Sequence, residues 1–442
     1  MTKSTDQPPA AVPQAAQQAG TVAARWAWTE PAIWTERMLT ALEQGVKGGV
    51  WFRLVDKVYA LRNLQAAWAK VRVNAGAAGV DRQSVEDFDK DVDYQVQKLH
   101  EQLRDGNYEP QPVRRAWIDK PGSTEQRPLG IPAVRDRVVQ TALRHVLEPI
   151  WEAEFAEQSY GFRPGRGCRD ALRRVDELLR AGYTWVVDAD LKSYFDTIPH
   201  DQLMAEVRQR VADGRVLALV QAYLKAEVLD GLASWQPDKG SPQGAVISPL
   251  LSNIYLDAVD HAMAQAGFQM VRYADDFVIL CRTQGEAEQA LACVRQLVEA
   301  RGLTLHPTKT RLVDASQAGG FDFLGYHFER DMHWPRRKSL DKLKDTIRER
   351  TKRTNGLSLQ VIIAGVNSVL RGWFGYFKHS HWTTFRSLDS WVRMRLRSIL
   401  RRRQGRRGRG RGRDHHRWPN VYFAEMGLYD LTTAHQLACQ FR

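Results

Sequence analysis

The stretch Val271-Arg-Tyr-Ala-Asp-Asp-Phe-Val-Ile-Leu-Cys281 decides the fold of this chain. Two apolar runs of strand length flank Ala274-Asp275-Asp276, a pattern that predicts a hairpin with carboxylates at its tip. An isolated Asp-Asp pair is usually a solvated turn. Here apolar residues enclose the pair on both sides, so the sequence favours a functional tip on a buried sheet.

A second strand signal lies upstream, in Tyr183-Thr-Trp-Val-Val-Asp-Ala-Asp-Leu-Lys-Ser-Tyr-Phe-Asp196. Its β-branched and aromatic start predicts a buried strand that ends at Asp188 or Asp190. Carboxylates at the ends of adjacent strands repel each other unless cations lie between them. Phosphoryl transfer uses this arrangement, with two Mg²⁺ ions about 4 Å apart. Of the other carboxylates, Asp188 is expected to be a strand-end residue and Asp196 to be structural.

At these residues the chain resembles the reverse transcriptases. Asp190-Leu-Lys-Ser-Tyr-Phe195 is similar to their first catalytic motif, and Tyr273-Ala-Asp-Asp276 is similar to their signature hairpin. The resemblance implies that Asp190 and Asp275 bind both Mg²⁺ ions, while Asp276 has a supporting role. Magnesium suits such a site, because it prefers a few carboxylates together with substrate phosphates.

The string Lys239-Gly-Ser-Pro-Gln-Gly-Ala-Val-Ile-Ser-Pro-Leu-Leu-Ser-Asn253 predicts a loop that leads into a helix. In the family this loop borders the incoming nucleotide and the templating base, which implies that Gln243 and Gly244 lie there. Glycine at position 244 permits a close backbone approach to a ligand. Phe195 falls at the family's steric gate, which implies exclusion of a ribose 2′-hydroxyl.

Two further motifs resemble the fingers of intron-encoded enzymes. Lys120-Pro-Gly-Ser-Thr-Glu-Gln-Arg-Pro-Leu-Gly-Ile-Pro132 is similar to their hairpin, which implies that Lys120 and Arg127 clamp a triphosphate. Tyr160-Gly-Phe-Arg-Pro-Gly-Arg166 also matches, which implies a nucleotide contact by Arg163, with structural support of the fingers as the alternative.

Two downstream motifs resemble parts of the palm. Gly302-Leu-Thr-Leu-His-Pro-Thr-Lys-Thr310 is similar to the motif whose lysine protonates the leaving pyrophosphate. Lys309 would be that general acid, and a plain phosphate contact is the alternative. Phe321-Asp-Phe-Leu-Gly-Tyr-His-Phe328 resembles the strand motif that grips the primer end, and it also reads as a core hairpin.

A helical module follows residue 335. Ser358 stands where an N-cap is expected, ahead of a long run of apolar residues at helical spacing. Arg371-Gly-Trp-Phe-Gly-Tyr-Phe377 resembles the thumb, or maturase domain, of group II intron proteins, which implies RNA binding. The aromatic residues of this motif are expected in the core, with Arg371 and Lys378 more exposed.

The charge of the chain favours a polyanionic partner. Its 442 residues carry a formal net charge of +13, and neutralising phosphates releases counterions from a nucleic acid. The excess is clustered at Arg401, Arg402, Arg403, Arg406, Arg407, Arg409, Arg411 and Arg413. The four cysteines are scattered without CxxC spacing, so neither a zinc site nor a disulfide framework is predicted. The sequence shows no apolar run of membrane-spanning length and no secretory pattern, which favours the cytoplasm.

The expected fold class is α+β, a right-hand polymerase with fingers, a palm that contains an antiparallel sheet, and a helical thumb. The expected organisation is a flexible leader (1–25), reverse transcriptase fingers and palm (26–332), a helical thumb or maturase domain (333–403), and a basic C-terminal nucleic-acid-binding segment (404–442). The Gly/Arg tract in that last segment (405–413) is expected to be a flexible strap.

The resemblance implies an RNA-directed DNA polymerase encoded by a group II intron, of the endonuclease-lacking bacterial class. Its implied partners are dNTPs, an RNA template with a DNA primer, target DNA, and the intron RNA whose splicing and mobility it assists. Such an enzyme needs an existing 3′ end for target-primed synthesis. The alternatives are a domesticated reverse transcriptase used in defence or repair, and a maturase that acts only as an RNA-binding splicing cofactor. The oligomeric state stays open.

Overall fold

The computed structural model describes residues 22, 24–46, 49–119, 126–330 and 332–440. Most of the predicted leader (1–25) therefore lies outside the described residues. The helices are α1 (Glu36–Gln44), α2 (Val55–Val58), α3 (Leu61–Asn74), α4 (Val85–Lys90), α5 (Val92–Asp105), α6 (Val134–Glu152), α7 (Cys168–Arg180), α8 (Tyr194–Thr197), α9 (His200–Arg208), α10 (Gly214–Leu224), α11 (Ser248–Gln265), α12 (Gln284–Ala300), α13 (Arg337–Arg350), α14 (Leu359–Phe377), α15 (Thr383–Arg403), α16 (Asp414–Arg417), α17 (Asn420–Glu425) and α18 (Leu431–Gln440).

The strands that the structure describes form three small sheets. The strands are β1 (Val113–Asp119), β2 (Gln126–Ile131), β3 (Trp185–Asp190), β4 (Val228–Asp230), β5 (Ala233–Trp235), β6 (Gln269–Tyr273), β7 (Asp276–Cys281), β8 (Arg311–Asp314), β9 (Phe321–Phe323), β10 (Tyr326–Glu329) and β11 (Met332–Pro335). Their orders are β2-β1-β4-β5, β6-β7-β3-β8 and β11-β10-β9. The predicted α+β class, with the aspartate strands in one sheet, is confirmed.

The chain divides into two compact units. The first comprises Met1–Arg174, Ala189–Ile279 and Glu288–Thr310, and the second comprises Val175–Asp188, Leu280–Ala287 and Arg311–Arg442. The division passes through β3 and β7, so these strands belong in part to each unit. Among the described residues, all the predicted catalytic and nucleotide-binding side chains fall within the first unit.

Helix α6 runs through the core of the first unit and is buried on nearly every side. A helix that is apolar all round would be typical of this position, yet α6 also carries buried polar residues. Each of these makes an internal hydrogen bond: Asp136 accepts from the Tyr108 hydroxyl (2.6 Å) and Gln140 Oε1 accepts from Val246 N (2.8 Å). These bonds hold the flanking loops to the helix.

The helical part of the second unit has one shared core. Leu343 and Ile347 of α13 pack with the apolar faces of α14 and α15, and Trp418, Phe423 and Leu431 from the end of the chain belong to the same cluster. Ser358 caps α14 as predicted, because its side chain accepts a hydrogen bond from Val361 N (3.3 Å). The terminal helices are therefore packed onto the thumb-like core.

The Gly/Arg tract, which was predicted to be a flexible strap, is anchored to α15 at Gly410. Gly410 is buried against α15: its N–H donates to Ser398 Oγ (3.0 Å), and a Cβ at this position would lie 2.5 Å from Cβ of Arg397. Asp414 accepts from Arg401 Nη1 (2.7 Å) and from the backbone N–H of Arg411 (3.2 Å). An internal residue of the tract (Gly410) and the residue that follows it (Asp414) are thus tied to folded structure.

No helix in the described part of the chain has the length and apolar character needed to cross a membrane. The four cysteines are free thiols in the structure.

Candidate active site

Asp190 lies at the end of β3, one of the two positions at which the sequence predicts this strand to end. Leu191 bridges to Leu305, and the carbonyl of Asp190 accepts a hydrogen bond from His306 N (2.7 Å). These contacts bring the 304–310 segment alongside the strand end. As a result Lys309 Nζ forms an ion pair with Asp190 Oδ2.

The hairpin tip is formed by Ala274 and Asp275, which separate β6 from β7. Ala274 has a φ of +60°, a left-handed conformation that a two-residue hairpin turn requires and that a non-glycine residue seldom adopts. Asp276 is the first residue of β7. The predicted hairpin with carboxylates at its tip is confirmed.

The charges around the tip act on Asp275. Burial and the negative charge of Asp190 raise the pKa of the Asp275 carboxyl, whereas the positive charges of Arg127 and Lys309 oppose that rise. Asp190, Arg127 and Lys309 therefore all lie within electrostatic reach of Asp275. Within the described ranges, no three His, Cys, Asp or Glu side chains are arranged to hold a metal ion by themselves.

A buried arginine behind the hairpin holds the tip in place. Arg272 is 1% exposed, and its Nε donates to both carboxylate oxygens of Asp260 (2.8 and 3.0 Å). Its Nη1 donates to Asn253 Oδ1 (3.0 Å) and to the carbonyl of Ala274 (2.9 Å). Its Nη2 donates to Ser159 Oγ (2.7 Å). One guanidinium thus links helix α11 and the Ser159 loop directly to the turn that carries Asp275, a predicted catalytic carboxylate.

Gly161 supports the same turn from the other side. A Cβ at Gly161 would lie 2.3 Å from the backbone nitrogen of Ala274, a distance at which the turn would have to move. The carbonyl of Gly161 accepts a hydrogen bond from Asn253 Nδ2 (2.8 Å). Neither Gly161 nor Arg272 was predicted from the sequence to have a role in the site. An arginine within an apolar strand was a signal that could have been read as a buried, paired cation.

The fingers residue Arg127 is exposed on β2, opposite Ile118 of β1. Its charge reaches Asp275, which is compatible with a phosphate contact beside the carboxylates. Lys120 lies outside the described residues. A triphosphate clamp by these two side chains stays a prediction.

Phe195 and Gln243 line one cleft of about 280 Å³, so the structure brings these two predicted nucleotide residues together. Gly244 has a φ of +108°, and a Cβ there would lie 2.5 Å from the carbonyl oxygen of Gly130. The N–H of Gly130 in turn donates to the Gln243 carbonyl (2.6 Å). The backbone that lies close to Gly244 is therefore that of strand β2. The sequence had predicted a ligand at this place.

Arg163, for which a nucleotide contact was predicted, has internal partners in the structure. Its side chain is buried and forms a two-pronged ion pair with Glu152 (Nε–Oε2 2.9 Å, Nη2–Oε1 2.7 Å). Nη1 also donates to the carbonyls of Ala156 (2.6 Å) and Ser159 (2.9 Å). Because its N–H groups are satisfied internally, Arg163 supports the loop before α7, which was the structural alternative.

Other carboxylates near the site have structural partners. Asp188 pairs with Arg311 across the β3–β8 ladder (2.9 Å), as expected for a strand-end residue. The aromatic hairpin formed by β9 and β10 is buried at Phe321, Phe323 and Phe328, which confirms the core-hairpin interpretation of that motif.

The predicted RNA-binding residues lie in the second unit. Arg371 is exposed, with its guanidinium 4.7 Å from the centre of the Tyr429 ring, and Lys378 is half-buried. The aromatic residues of the same motif are in or against the core, as predicted. Arg402, Arg406 and Arg407 are exposed, whereas Arg401 and Arg403 donate to partners within the unit.

Comparison with known proteins adds two family matches. Residues 118–328 match the family model of the reverse transcriptase (RNA-dependent DNA polymerase), and residues 340–418 match the maturase-specific domain of group II introns.

Individual relatives agree with these matches. The chain is 33% identical over 349 residues to protein YkfC of Escherichia coli, a match that covers 70% of this chain and 86% of YkfC. It is 38% identical over 204 residues to the group II intron-encoded protein LtrA of Lactococcus lactis, covering 45% of this chain and 33% of LtrA. A 91 kDa protein in the cob intron of Schizosaccharomyces pombe is 29% identical over 402 residues, covering 71% of this chain and 49% of that protein. The chain thus matches most of YkfC but half or less of the two intron proteins.

Proposed function

The chain belongs to the group II intron-encoded reverse transcriptases that carry a maturase-specific domain, and on this premise we propose that it is a Mg²⁺-dependent RNA-directed DNA polymerase that also binds intron RNA to assist splicing. The observation that carries the polymerase proposal is the electrostatic coupling of Asp190 to Asp275, with Lys309 paired to Asp190 and Arg127 within reach. Two neighbouring carboxylates destabilise each other's ionised form. Such a pair would not be expected in a turn that has only a structural role.

The two carboxylates fit a site for magnesium. Asp190 and Asp275 supply oxygen ligands whose mutual repulsion a cation would relieve, and substrate phosphates would complete the coordination. Asp276 would support them from the start of β7. Bound Mg²⁺ would activate the primer 3′-oxygen and stabilise the leaving oxygen of the nucleotide.

The protein's own side chains would perform the remaining steps. Lys309 would release Asp190 on metal binding, and its ammonium would then donate a proton to the leaving pyrophosphate or contact it as a cation. Arg127 would neutralise triphosphate oxygens, which lowers the repulsion between the nucleotide and the carboxylates. Phe195 and Gln243 would shape the cleft that accepts a deoxynucleotide.

The maturase proposal rests on the family match over residues 340–418 and on the exposed cations of the second unit. Intron RNA, target DNA and a primer with an existing 3′ end are the proposed partners. In intron mobility, target-primed reverse transcription would take place at the same polymerase active site.

The decisive experiment is extension of oligo(dT) on poly(rA) with dTTP and Mg²⁺. Wild-type protein is expected to extend the primer, and Asp275→Ala is expected to abolish extension because a metal ligand is lost. Asp201→Ala is the matched control, since Asp201 is an exposed aspartate of α9 in the same unit. No extension by folded wild-type protein would refute the polymerase proposal and leave splicing assistance as the activity to test.

A further inference from the structure

The sheet with the order β2-β1-β4-β5 carries two partly exposed tryptophans on one face. Side chains alternate between the two faces of a strand, so Val113, Arg115 and Trp117 of β1 lie on the same side. Val113 is paired in register with Val228 of β4, and Val228 is paired with Trp235 of β5. Trp117 is 49% exposed and Trp235 is 38% exposed. This face of the sheet therefore presents two large aromatic rings to solvent.

The guanidinium of Arg115 contacts both rings. Its Cζ lies 4.9 Å from the centre of the Trp235 ring and 5.7 Å from the centre of the Trp117 ring, within the range of cation–π attraction. The Trp117 indole N–H donates to Asp230 Oδ2 (3.2 Å), which fixes the orientation of that ring. Because β5 is the edge strand, no described strand of this sheet lies beyond the Trp235 ring. The Trp117–Arg115–Trp235 stack is thus held in place while its Trp235 end stays partly exposed.

The Trp117–Arg115–Trp235 stack borders the cleft that contains Phe195 and Gln243. Arg115 and Trp235 both line that cleft. Strand β2 contacts the Gln243 backbone through Gly130, whereas Trp235 lies on β5 at the opposite edge of the same sheet. The cleft therefore continues from the predicted nucleotide residues to the stack, and all of these residues belong to the first unit.

The lining of the cleft favours a neutral aromatic group over a phosphate. Its charged residues are two cations and two carboxylates, namely Arg115, Lys239, Asp196 and Asp238. The charge of Arg115 also acts on Asp196, because it opposes the rise that burial causes in the pKa of that carboxyl. A phosphate would gain little from charges that balance. A nucleobase has a flat face that stacks on an aromatic ring, and its polar edges suit a lining that is partly polar.

We propose that the Trp117–Arg115–Trp235 stack binds the base of an unpaired template nucleotide, one that lies ahead of the templating position. In the proposed reaction the incoming nucleotide pairs with the templating base, while bases further along the template still lack partners. Such a base exposes a face that stacks on Trp235. Because every base has such a face, the site accepts any template sequence. The inference deepens the proposed function and rests on it, since it assumes that a template strand occupies the cleft.

Three substitutions of Trp235 separate stacking from simple apolar contact. Trp235→Phe keeps a flat ring, Trp235→Leu keeps apolar bulk without a ring, and Trp235→Ala removes both. Tyr94→Ala is the matched control, because Tyr94 is an exposed aromatic residue of α5 in the same unit and does not line the cleft. Since Trp235 is itself exposed on an edge strand, its truncation is expected to leave the fold intact, which thermal unfolding checks.

The probe is a DNA primer annealed to RNA templates whose 5′ overhang grows from one to four nucleotides. Binding is measured by fluorescence anisotropy without dNTPs. For wild type, affinity is expected to rise at one overhang length beyond the first nucleotide by roughly five- to 150-fold, the value of stacking one base on an aromatic side chain. An abasic residue at that position should remove the increment. Trp235→Ala and Trp235→Leu should lack the increment, Trp235→Phe should retain most of it, and Tyr94→Ala should match wild type.

Three outcomes would overturn the proposal. Wild-type affinity that does not change along the overhang series, or an increment that survives the abasic residue, would show that no template base is held. An increment that Trp235→Ala and Trp235→Leu retain in full would place the base elsewhere. A KM for dTTP that Trp235→Ala raises on a template with a one-nucleotide overhang would assign the stack to the incoming nucleotide instead.

Trp235→Leu keeps the test available if Trp235→Ala unfolds. Primer extension by wild type, started in the same mixtures by adding dTTP and Mg²⁺, tests the polymerase proposal separately. The binding increment can be measured whether or not extension occurs, so failure of one proposal is distinguishable from failure of the other.

Discussion

Replacing Arg272 by lysine retains the buried positive charge opposite Asp260 while removing the planar fork that reaches the hairpin turn. Arginine has five N–H donors and lysine has three. In the structure the guanidinium donates hydrogen bonds to Asp260, Asn253 Oδ1, the Ala274 carbonyl and Ser159 Oγ. An ammonium held close to Asp260 leaves at least one of the three neutral acceptors without a donor.

The magnitude follows from these contacts. Each buried acceptor left unpaired costs about 1–3 kcal/mol, so Arg272→Lys is expected to lower the free energy of unfolding by roughly that amount for each lost bond. The Ala274 carbonyl lies next to Asp275, and a misplacement of about 1 Å near the chemistry can cost about 100-fold in rate. We therefore expect kcat to fall about 10- to 100-fold, with a smaller change in the KM for dTTP.

The assay combines urea unfolding with single-nucleotide incorporation over a range of Mg²⁺ concentrations. A displaced Asp275 should raise the Mg²⁺ concentration needed for half-maximal rate, which a global loss of folded protein would not do. Arg301→Lys is the control, because Arg301 also pairs with a single carboxylate, Glu206 (2.9 Å), but makes no contact with the turn. Wild-type kcat and Mg²⁺ dependence in Arg272→Lys would refute the assigned positioning role.

Three further changes follow from other contacts. Gly161→Ala should reduce kcat at least tenfold at little cost to KM, because its Cβ would meet Ala274 N at 2.3 Å; steady-state kinetics that match wild type would contradict this. Burial raises the pKa of Asp136 to about 6, above its value in the unfolded chain. The Asp136 carboxyl therefore stabilises the fold below pH 4, where it is protonated. That stabilisation, up to about 3 kcal/mol, is lost as the pH rises through 6. Urea unfolding of Asp136→Asn should lack this pH-dependent component, and parallel pH profiles for the two proteins would exclude it. Asp414→Asn should loosen the Gly/Arg loop and speed tryptic cleavage within residues 406–413, and unchanged cleavage would show that other contacts hold the loop.

The parts of the fold that were predicted correctly are those that local sequence patterns specify. The hairpin at residues 271–281 and the strand that ends at Asp190 follow from apolar runs interrupted by acidic residues, and the start of α14 follows from Ser358 ahead of its apolar run. The electrostatic reach between Asp190 and Asp275 was predictable for the same reason, because carboxylates at neighbouring strand ends come together in a sheet. The strand, the hairpin and the helix start each depend on residues close together in the chain, whereas the approach of Asp190 to Asp275 also requires that their strands be neighbours in the sheet.

The contacts that the sequence did not reveal depend on how the folded chain places their partners. Arg163 was assigned to a nucleotide because its charge is visible in the sequence, whereas the carboxylate of Glu152 and the carbonyls that surround it become partners only after the chain folds. Ser159 meets Arg272 across more than a hundred residues. The Gly/Arg tract illustrates a similar limit: its composition is typical of a flexible segment, and the burial of Gly410 depends on the surface of α15.

The anchoring of that tract changes the thermodynamics expected for any polyanion that it meets. Ordering a free loop fixes the backbone of each residue at a cost of about 1–2 kcal/mol in conformational entropy. A loop already held at Gly410 and Asp414 has lost much of that freedom during folding. The exposed guanidinium groups of the loop are then held at fixed positions. Their affinity for a polyanion depends on how well those positions match the spacing of its phosphates. An added or deleted residue between the two anchors should therefore weaken binding more than the loss of one arginine.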